Sequence, residues 1–140
     1  MVVVAIVALA TAGATLALRD GNAAQLEREG LRLAALLEAA RAQSRTSGIA
    51  VTWRAVPQGF AFEGVNQRQD ASVSLTEPRT WLQADTQARV TQPDGAETLV
   101  LGPEPLIAAQ RVVIFHADRR LTLATDGLSA FAVVPDADTP

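Results

Sequence analysis

"MVVVAIVALATAGATLALRD", residues 1–20, opens the chain, and its first eighteen residues include no charged side chain. As an α-helix, this apolar run spans about 27 Å, close to the roughly 30 Å hydrocarbon thickness of a bilayer. Three interpretations of this run are open: a removable export signal, a buried helix, or a membrane helix that stays attached to the rest of the protein. An export signal begins with basic residues, and none precedes the small-residue site Ala8-Leu9-Ala10. We therefore expect a retained helix.

The helical pattern continues past Arg19 to about Ser44 without a proline, so the apolar run is the first half of one long helix. The second half is amphipathic, because its apolar and charged side chains fall on opposite sides at 100° per residue. The predicted packing face consists of Leu26, Leu33, Leu36, Leu37 and Ala40. The predicted solvent face consists of Glu27, Arg28, Arg32, Glu38, Arg41 and Arg45.

Within the amphipathic half, two ion pairs at a spacing of three residues are expected to support the helix, Glu29 with Arg32 and Glu38 with Arg41. Gly30 marks a bend or a close approach of another element. A minor apolar stripe lies on the polar side and is formed by Leu31, Ala35 and Ala42. Two interpretations of the stripe stay open: tolerated exposed small residues, or a seam for neighbouring helices.

After Thr46-Ser47-Gly48, where glycine is suited to end a helix, the apolar period changes from 3.6 to 2. Ile49, Val51 and Trp53 alternate with polar residues as in a half-buried strand. The turn at residues 57–59 then returns the chain into a strand that carries Phe60 and Phe62. This pattern predicts a first hairpin.

Turn residues 93–95 predict a second hairpin between strands at 88–91 and 98–101. Strands at 111–116, 121–125 and 128–134 predict an antiparallel meander. No helical pattern separates these strands, so the sheet must be mostly antiparallel. The predicted fold class is α+β, with a long N-terminal helix packed on a small, mostly antiparallel β domain.

The predicted organisation has four parts. Residues 1–18 form the apolar, transmembrane half of the helix and residues 19–47 its amphipathic half. Residues 48–134 form the β domain, within which residues 66–72 read as an exposed loop. Residues 135–140 are acidic and poor in apolar side chains, which predicts a disordered tail.

The composition argues against a catalytic or nucleic-acid-binding protein. The net charge is -3 and the pI about 5.1, so no polyanion is expected as a partner. There is no cysteine, and the single histidine, His116, has no second imidazole to complete a metal site. A catalytic group of His116, Asp118, Asp126 and Ser129 is the alternative to a structural histidine, and we favour the structural interpretation. We expect no enzyme activity, cofactor, metal or small-molecule substrate.

Three further side chains are interpreted as surface or partner contacts, in contrast to Trp53. Arg119 and Arg120 read as a solvated hairpin tip rather than a phosphate-binding site. Trp53 is in phase with Ile49 and Val51 and belongs to the core. Trp81 lies beside Pro78 in a polar connection and is a candidate partner contact.

Two stretches of the sequence resemble those of a known family. "LEREGLRLAALLEAARAQSRTSGIAVTWR", residues 26–54, is similar to the segment where type IV pilins and pseudopilins end their long helix and enter the first strand. "VVIFHADRRLTLATDGLSAFAVV", residues 112–134, is similar to the final strands of the minor pseudopilin H of type II secretion systems. The resemblance covers most of the chain, and residues 64–110 match only in general character.

The resemblance implies a pilin-like fold and a structural subunit of the type II secretion pseudopilus. Its partners would be major and minor pseudopilins and, before assembly, inner-membrane lipid, with the β domain in the periplasm. The segment that packs in membrane and filament would include Val4, Ala8, Ala12, Gly13, Leu16 and Leu18. Pilin-like precursors carry a basic leader and Phe-Thr-Leu-Ile-Glu before the apolar run, and we expect both to be encoded upstream of Met1.

Two alternative functions remain open from the sequence. The first is a minor pilin of a type IV pilus, built in the same way for a different filament. The second is an exported soluble β-rich protein, a binding module or a hydrolase, whose opening segment is cleaved off. A mature protein that begins near Thr11 would favour the second alternative.

Overall fold

The computed structural model describes residues 2–65 and 75–134. Side chains are described for residues 23–65 and 75–134. The described residues form one helix followed by eight strands. Their bounds are α1 Val2–Ser47, β1 Thr52–Val56, β2 Gly59–Glu63, β3 Arg79–Thr80, β4 Thr86–Gln92, β5 Thr98–Val100, β6 Gln110–His116, β7 Arg119–Thr125 and β8 Ala132–Val134.

Helix α1 runs without interruption for 46 residues, which confirms the prediction of one long helix. Its length of about 69 Å follows from a rise of 1.5 Å per residue. The helix ends where the backbone of Gly48 turns left-handed, with φ of 73°, and its N–H donates to the carbonyl of Ser44 at 2.9 Å. Glycine adopts this conformation without the steric cost of a Cβ, so Gly48 acts as the expected cap.

The strands form two four-stranded sheets, and every strand pair is antiparallel. The first sheet has the order β3-β2-β1-β5 and the second the order β4-β6-β7-β8. The first hairpin is confirmed by the β1–β2 pairing of Trp53 with Phe62. The meander is confirmed by β6, β7 and β8, although β8 begins at Ala132 and not at residue 128.

The second predicted hairpin is wrong. The turn itself is present, since the N–H of Ala96 donates to the carbonyl of Pro93 at 3.1 Å. However, β4 pairs with β6 in one sheet, whereas β5 pairs with β1 in the other. Turn residues determine where a chain changes direction, and they do not determine which strands become neighbours. The connection between β4 and β5 therefore passes from one sheet to the other.

The core lies between the amphipathic half of α1 and the inner faces of the sheets. The predicted packing face is confirmed, because Leu26, Leu33, Leu36, Leu37 and Ala40 are all buried. Gly30 marks a close approach: a Cβ there would lie 2.1 Å from Cδ2 of Leu121 on β7. In the first sheet, the rings of Trp53 and Phe60 pack with centroids 5.9 Å apart.

Two predictions about exposure need correction. Arg41 was assigned to the solvent face of α1, yet it is only 3% exposed, because loops of the β domain cover the last turns of the helix. Ile49 was placed in phase with the buried side of the first strand, but it precedes β1 and is exposed. Its carbonyl accepts a 2.6 Å hydrogen bond from the hydroxyl of Ser44 instead.

Some predictions concern residues that the structure does not describe, namely the loop at 66–72 and the tail at 135–140. The side chains of residues 1–20 are likewise outside the described set. Among the residues that were described in full, no helix is long and apolar enough to cross a membrane.

Candidate interaction surfaces

The minor stripe on α1 is exposed to solvent. Leu31 is 59% exposed, and Ala35 and Ala42 are exposed as well. Glu38 lies on the same side of the helix, since the four positions fall within about 60° of one another at 100° per residue. The carboxylate of Glu38 accepts a hydrogen bond from the N–H of Phe131 at 3.0 Å. The stripe thus follows the border between α1 and the segment that leads into β8.

The residues predicted to pack in membrane and filament lie on the backbone of α1. They are Val4, Ala8, Ala12, Gly13, Leu16 and Leu18, all within Val2–Ser47. Because their side chains are outside the described part of the structure, their contacts stay predictions. What the structure adds is that a continuous helix joins this segment to the packed half.

Arg41 fastens the C-terminal part of α1 to two loops of the β domain. Its Nη2 donates to the carbonyls of Gly127 at 2.7 Å and Pro105 at 3.2 Å, and its Nη1 donates to the carbonyl of Ser129 at 3.0 Å. The carboxylate of Glu38 lies 3.7 Å away. A buried guanidinium is costly to desolvate unless its donors are satisfied. Here carbonyl oxygens accept from both Nη1 and Nη2, whereas Nε has no partner among the described residues.

The two loops that Arg41 holds present exposed leucines. Leu106 is 64% exposed and Leu128 is 71% exposed. The loops also contact each other, since the N–H of Ile107 donates to the carbonyl of Gly127 at 3.1 Å. Glu104 and Asp126 are exposed in the same two loops. We call the surface formed by Glu104, Leu106, Asp126 and Leu128 the leucine tip.

Asp126 closes its own turn. Its Oδ1 accepts hydrogen bonds from the N–H groups of Ser129 at 2.8 Å and Leu128 at 3.0 Å. These backbone hydrogen bonds, that from Ser129 first, hold the pKa of the Asp126 carboxyl below its ordinary value. The turn therefore uses Asp126 as an ionised acceptor.

Glu29 fastens α1 to the β domain at a second level. Its Oε1 accepts from the N–H of Leu82 at 3.2 Å, and its Oε2 lies 3.3 Å from Nη1 of Arg32. Arg32 also donates to the carbonyl of Thr80 at 3.4 Å. Gln25 and Gln83 form a further hydrogen bond between helix and loop. The segment after β3 is thereby held against the helix.

This attachment explains why Trp81 is not a surface residue. Its side chain is 6% exposed and its ring packs on Phe60 with centroids 4.8 Å apart. The prediction of a partner contact at Trp81 is therefore corrected to a core position, because the loop folds inward onto the aromatic cluster. Trp81 borders a cleft of about 360 Å³, whose lining includes Gln58, Gln83, Asp85 and Thr86.

His116 is held by a neighbouring strand. Its Nδ1 lies 3.2 Å from the hydroxyl of Thr86, its partner in the β4–β6 register. Thr86 in turn donates to the carbonyl of Gln83 at 2.8 Å. Among the described residues, no group of three His, Asp or Glu side chains is arranged to hold a metal ion. The contacts of His116 are those of a structural residue.

Arg119 and Arg120 point to opposite faces of the second sheet, since consecutive strand residues alternate. Arg119 lies opposite His116 at the hairpin end, whereas Arg120 lies opposite Phe115. Both arginines are exposed. The sequence grouped them as one surface, and the structure separates them. Strand alternation was available in the sequence and was the signal for this difference.

The outer face of the second sheet is basic. Its rows follow from the strand register, which places Gln87, Phe115 and Arg120 in one row and Arg89, Val113, Thr122 and Val134 in the next. Arg89 and Arg120 are exposed, while Val113 and Phe115 are half-buried. We call the surface formed by Arg89, Val113, Phe115 and Arg120 the arginine face. Arg111 lies on the same side of the sheet, at its other end.

Comparison with known proteins finds similarity in structure. No protein-family model matches the chain, and no curated protein matches it. A crystal structure of the type IV minor pilin FimU from Pseudomonas aeruginosa is similar, with a TM-score of 0.58 and 14% identity over 85% of this chain and 95% of that one. A second crystal form of FimU gives a TM-score of 0.56 and 13% identity over 82% and 97%. These likenesses confirm the predicted pilin-like α+β fold.

Proposed function

We propose that this chain is a non-enzymatic structural subunit of a pilin-type filament. The observation that carries the proposal is the unbroken helix Val2–Ser47, of which one half is fastened to a β domain and the other half has no charged residue as far as Leu18. An uncharged helix of this length has to be covered by lipid or by other helices. The pilin-like fold supports the same conclusion.

In this proposal, the apolar half holds the subunit in the bacterial inner membrane before assembly, with the β domain in the periplasm. Assembly then transfers the apolar half from lipid to a bundle of neighbouring helices. Small side chains at Ala8, Ala12 and Gly13 allow helices to approach closely, which is how such bundles gain van der Waals contact. The exposed stripe of Leu31, Ala35 and Ala42 extends an apolar surface into the amphipathic half.

Two filaments are candidates. The first is the type II secretion pseudopilus, in which the chain would be a minor pseudopilin that supports export of folded proteins; the sequence resemblance favours it. The second is a type IV pilus, favoured by the structural likeness to FimU, a type IV minor pilin. Deletion of the gene separates the two. Loss of secreted enzymes from the medium supports the first, and loss of pilus-dependent motility with normal secretion supports the second.

The membrane step is tested with Ala12→Arg in the full chain. A charged side chain inside a membrane span costs about 2.5–3.5 kcal/mol, so retention in the membrane fraction after alkaline extraction should fall sharply. Ala50→Arg is the matched control, because Ala50 is exposed just beyond α1. Equal retention of the two variants would contradict the proposed anchor.

A further inference from the structure

The chain contains three Asp-Gly pairs, Asp20-Gly21, Asp94-Gly95 and Asp126-Gly127. Such a pair is chemically reactive, because the backbone nitrogen after an aspartate can attack the side-chain carboxyl carbon and close a five-membered ring. A side chain on the following residue hinders this attack, and glycine has none. The backbone must also be free to bring the nitrogen and the carboxyl together. The structure places the three pairs in three different surroundings.

The first pair lies within helix α1, Val2–Ser47. In an α-helix each N–H donates to the carbonyl four residues earlier, so the nitrogen of Gly21 is held along the helix axis. Ring closure requires Asp20 to leave the helical dihedral angles, which breaks the helix at this point. The continuous helix therefore protects this pair.

The third pair lies in the segment between β7 and β8, and its turn is locked. The N–H of Gly127 donates to the hydroxyl of Thr125 at 3.0 Å, and a Cβ at Gly127 would lie 1.9 Å from the carbonyl oxygen of Ile107. The Asp126 carboxylate accepts from two N–H groups of its own turn. These hydrogen bonds lower the pKa of Asp126, so its carboxyl stays ionised and lacks the hydroxyl that has to leave as water.

The second pair lies in the connection between β4 and β5, and it is open. Asp94 and Gly95 are both exposed, and a Cβ added at Gly95 would meet no atom within 4 Å. Within residues 2–65 and 75–134, the N–H of Gly95 donates no hydrogen bond and the carboxylate of Asp94 accepts none. The turn is closed by one backbone hydrogen bond, from Ala96 to Pro93. The attacking nitrogen and the carboxyl are thus both unengaged.

We propose that Asp94 is a site of spontaneous isoaspartate formation in the folded protein, and that the fold protects the other two Asp-Gly pairs. The nitrogen of Gly95 forms a bond to Cγ of Asp94. The proton of this nitrogen leaves with the carboxyl hydroxyl as one molecule of water. The product is a succinimide ring, in which the nitrogen is bonded to two carbonyl carbons.

Hydrolysis of the ring completes the reaction. Water adds to one of the two carbonyl carbons, and the bond from that carbon to nitrogen breaks. When the bond to the original peptide carbon breaks, the chain runs through Cβ and Cγ of Asp94 and a free α-carboxylate appears. One water is lost and one is regained, so the mass is unchanged and no oxidant or reductant is needed.

The modification adds one carbon to the backbone of the segment that passes from the second sheet to the first. Strand β4 ends at Gln92 and β5 begins at Thr98, so the change falls outside both sheets. We therefore expect the β domain to stay folded after the modification. This inference depends on the β domain alone and does not rest on the filament assignment.

The test incubates the full chain in detergent micelles at mildly acidic pH, below its unfolding temperature. Isoaspartate is then measured by transfer of a labelled methyl group from S-adenosylmethionine with a methyltransferase specific for isoaspartyl carboxylates. Peptide mapping by mass spectrometry locates the label. We expect at least about ten times more label at Asp94 than at Asp126, since opening the second turn breaks several hydrogen bonds. Fluorescence of the buried Trp53 and Trp81 verifies that the β domain stays folded.

Two variants identify the reacting residue. Asp94→Glu keeps the charge and would have to close a less favourable six-membered ring, so the label in this region should disappear. Asp118→Glu is the matched control, because Asp118 is also exposed in a turn between strands and is followed by an arginine in place of glycine. This variant should be labelled as strongly as the natural chain. Equal loss of label in the two variants would overturn the assignment to Asp94.

A parallel incubation in denaturant tests whether the fold selects the site. The helix and the locked turn are absent from the unfolded chain, so the three Asp-Gly pairs should be labelled to a similar extent. Label at Asp126 or Asp20 equal to that at Asp94 in the folded chain would overturn the proposal. A preference for Asp94 that is as strong in denaturant as in the folded chain would overturn the protective role of the fold.

Discussion

Helix α1 is fastened to the β domain by a buried charged side chain at two levels, Glu29 and Arg41, and the two attachments differ in kind. The charge of Glu29 is balanced one turn away by Arg32, and its contact with the β domain is one hydrogen bond from Leu82. The charge of Arg41 is met mainly by backbone carbonyls of two separate loops. The first attachment positions a loop, whereas the second holds two loops together and presents the leucine tip. Arg41 therefore organises more of the β domain than Glu29 does, because Arg41 binds two loops and Glu29 binds one.

The largest expected effect is at the Arg41 level. Arg41→Met keeps the volume and removes every donor, which leaves carbonyls of Pro105, Gly127 and Ser129 without this partner in a buried place. We expect a loss of about 3 kcal/mol in the free energy of unfolding. Chemical denaturation followed by fluorescence of the buried Trp53 and Trp81 measures it.

Arg45→Met is the control for Arg41, because Arg45 is exposed one turn further along α1. Its effect should stay within about 0.5 kcal/mol. Similar losses in the two variants would mean that the carbonyl contacts of Arg41 contribute little, and the contrast with Glu29 would disappear.

The stretch of α1 between the two attachments is tested at Gly30. Gly30→Ala places a methyl group 2.1 Å from the present position of Cδ2 of Leu121, so Leu121 has to move. The helix gains up to about 1 kcal/mol in propensity and loses about 1–3 kcal/mol through overpacking. We expect a net destabilisation of about 1 kcal/mol, measured by denaturation, and recovery on adding Leu121→Val.

Gly21→Ala is the matched control for Gly30, since a Cβ at Gly21 meets no atom within 4 Å. Only the propensity gain remains there, so this variant should be more stable than the natural chain by about 0.5–1 kcal/mol. Stabilisation by both substitutions would show that α1 is free to shift against β7 between its two attachments.

The smaller effect is expected at the Glu29 level. Glu29→Gln retains a carbonyl oxygen that accepts from the N–H of Leu82 and removes the charge that faces Arg32. We expect a loss of about 1 kcal/mol in unfolding free energy, against little change for Glu27→Gln at an exposed position two residues closer to the apolar half. A loss as large as that of Arg41→Met would contradict the distinction between the two attachments.

Local patterns predicted much of this fold. The period of apolar residues identified the packing face of α1, glycine chemistry identified its end at Gly48, and short apolar strands with tight turns identified the meander. These features depend on neighbours within a few residues, which a sequence displays directly. For Gly30 the sequence offered a bend or a close approach, and the structure shows the close approach.

The errors concern contacts between distant residues. A helical projection places Arg41 on the polar side of α1, but whether loops cover that side depends on residues 64 and more positions later in the chain. The pairing of β4 with β6 and the inward position of Trp81 are likewise set by tertiary packing. The leucine tip was missed for the same reason, because the loops that carry Leu106 and Leu128 meet only in the tertiary structure, where Arg41 binds both.

The smallest effect is expected at Asp126, in the turn that supports the leucine tip at the Arg41 level. Hydrogen bonds from the N–H groups of Ser129 and Leu128 lower the pKa of Asp126 in the folded protein below its ordinary value of 3.8. A carboxyl whose pKa is depressed on folding stabilises the fold above its unfolded pKa, and this contribution is lost as the pH falls through the folded pKa.

Asp126→Asn retains the accepting oxygen and removes the charge. The variant should therefore be slightly less stable than the natural chain at neutral pH, and the difference should close as the pH falls below about 4. Denaturation curves of both proteins between neutral and acidic pH measure this difference. If the difference in stability between the two proteins stays constant with pH, the charge of Asp126 does not stabilise the turn. The leucine tip is then held in position by Arg41 and by the hydrogen-bond geometry of the turn.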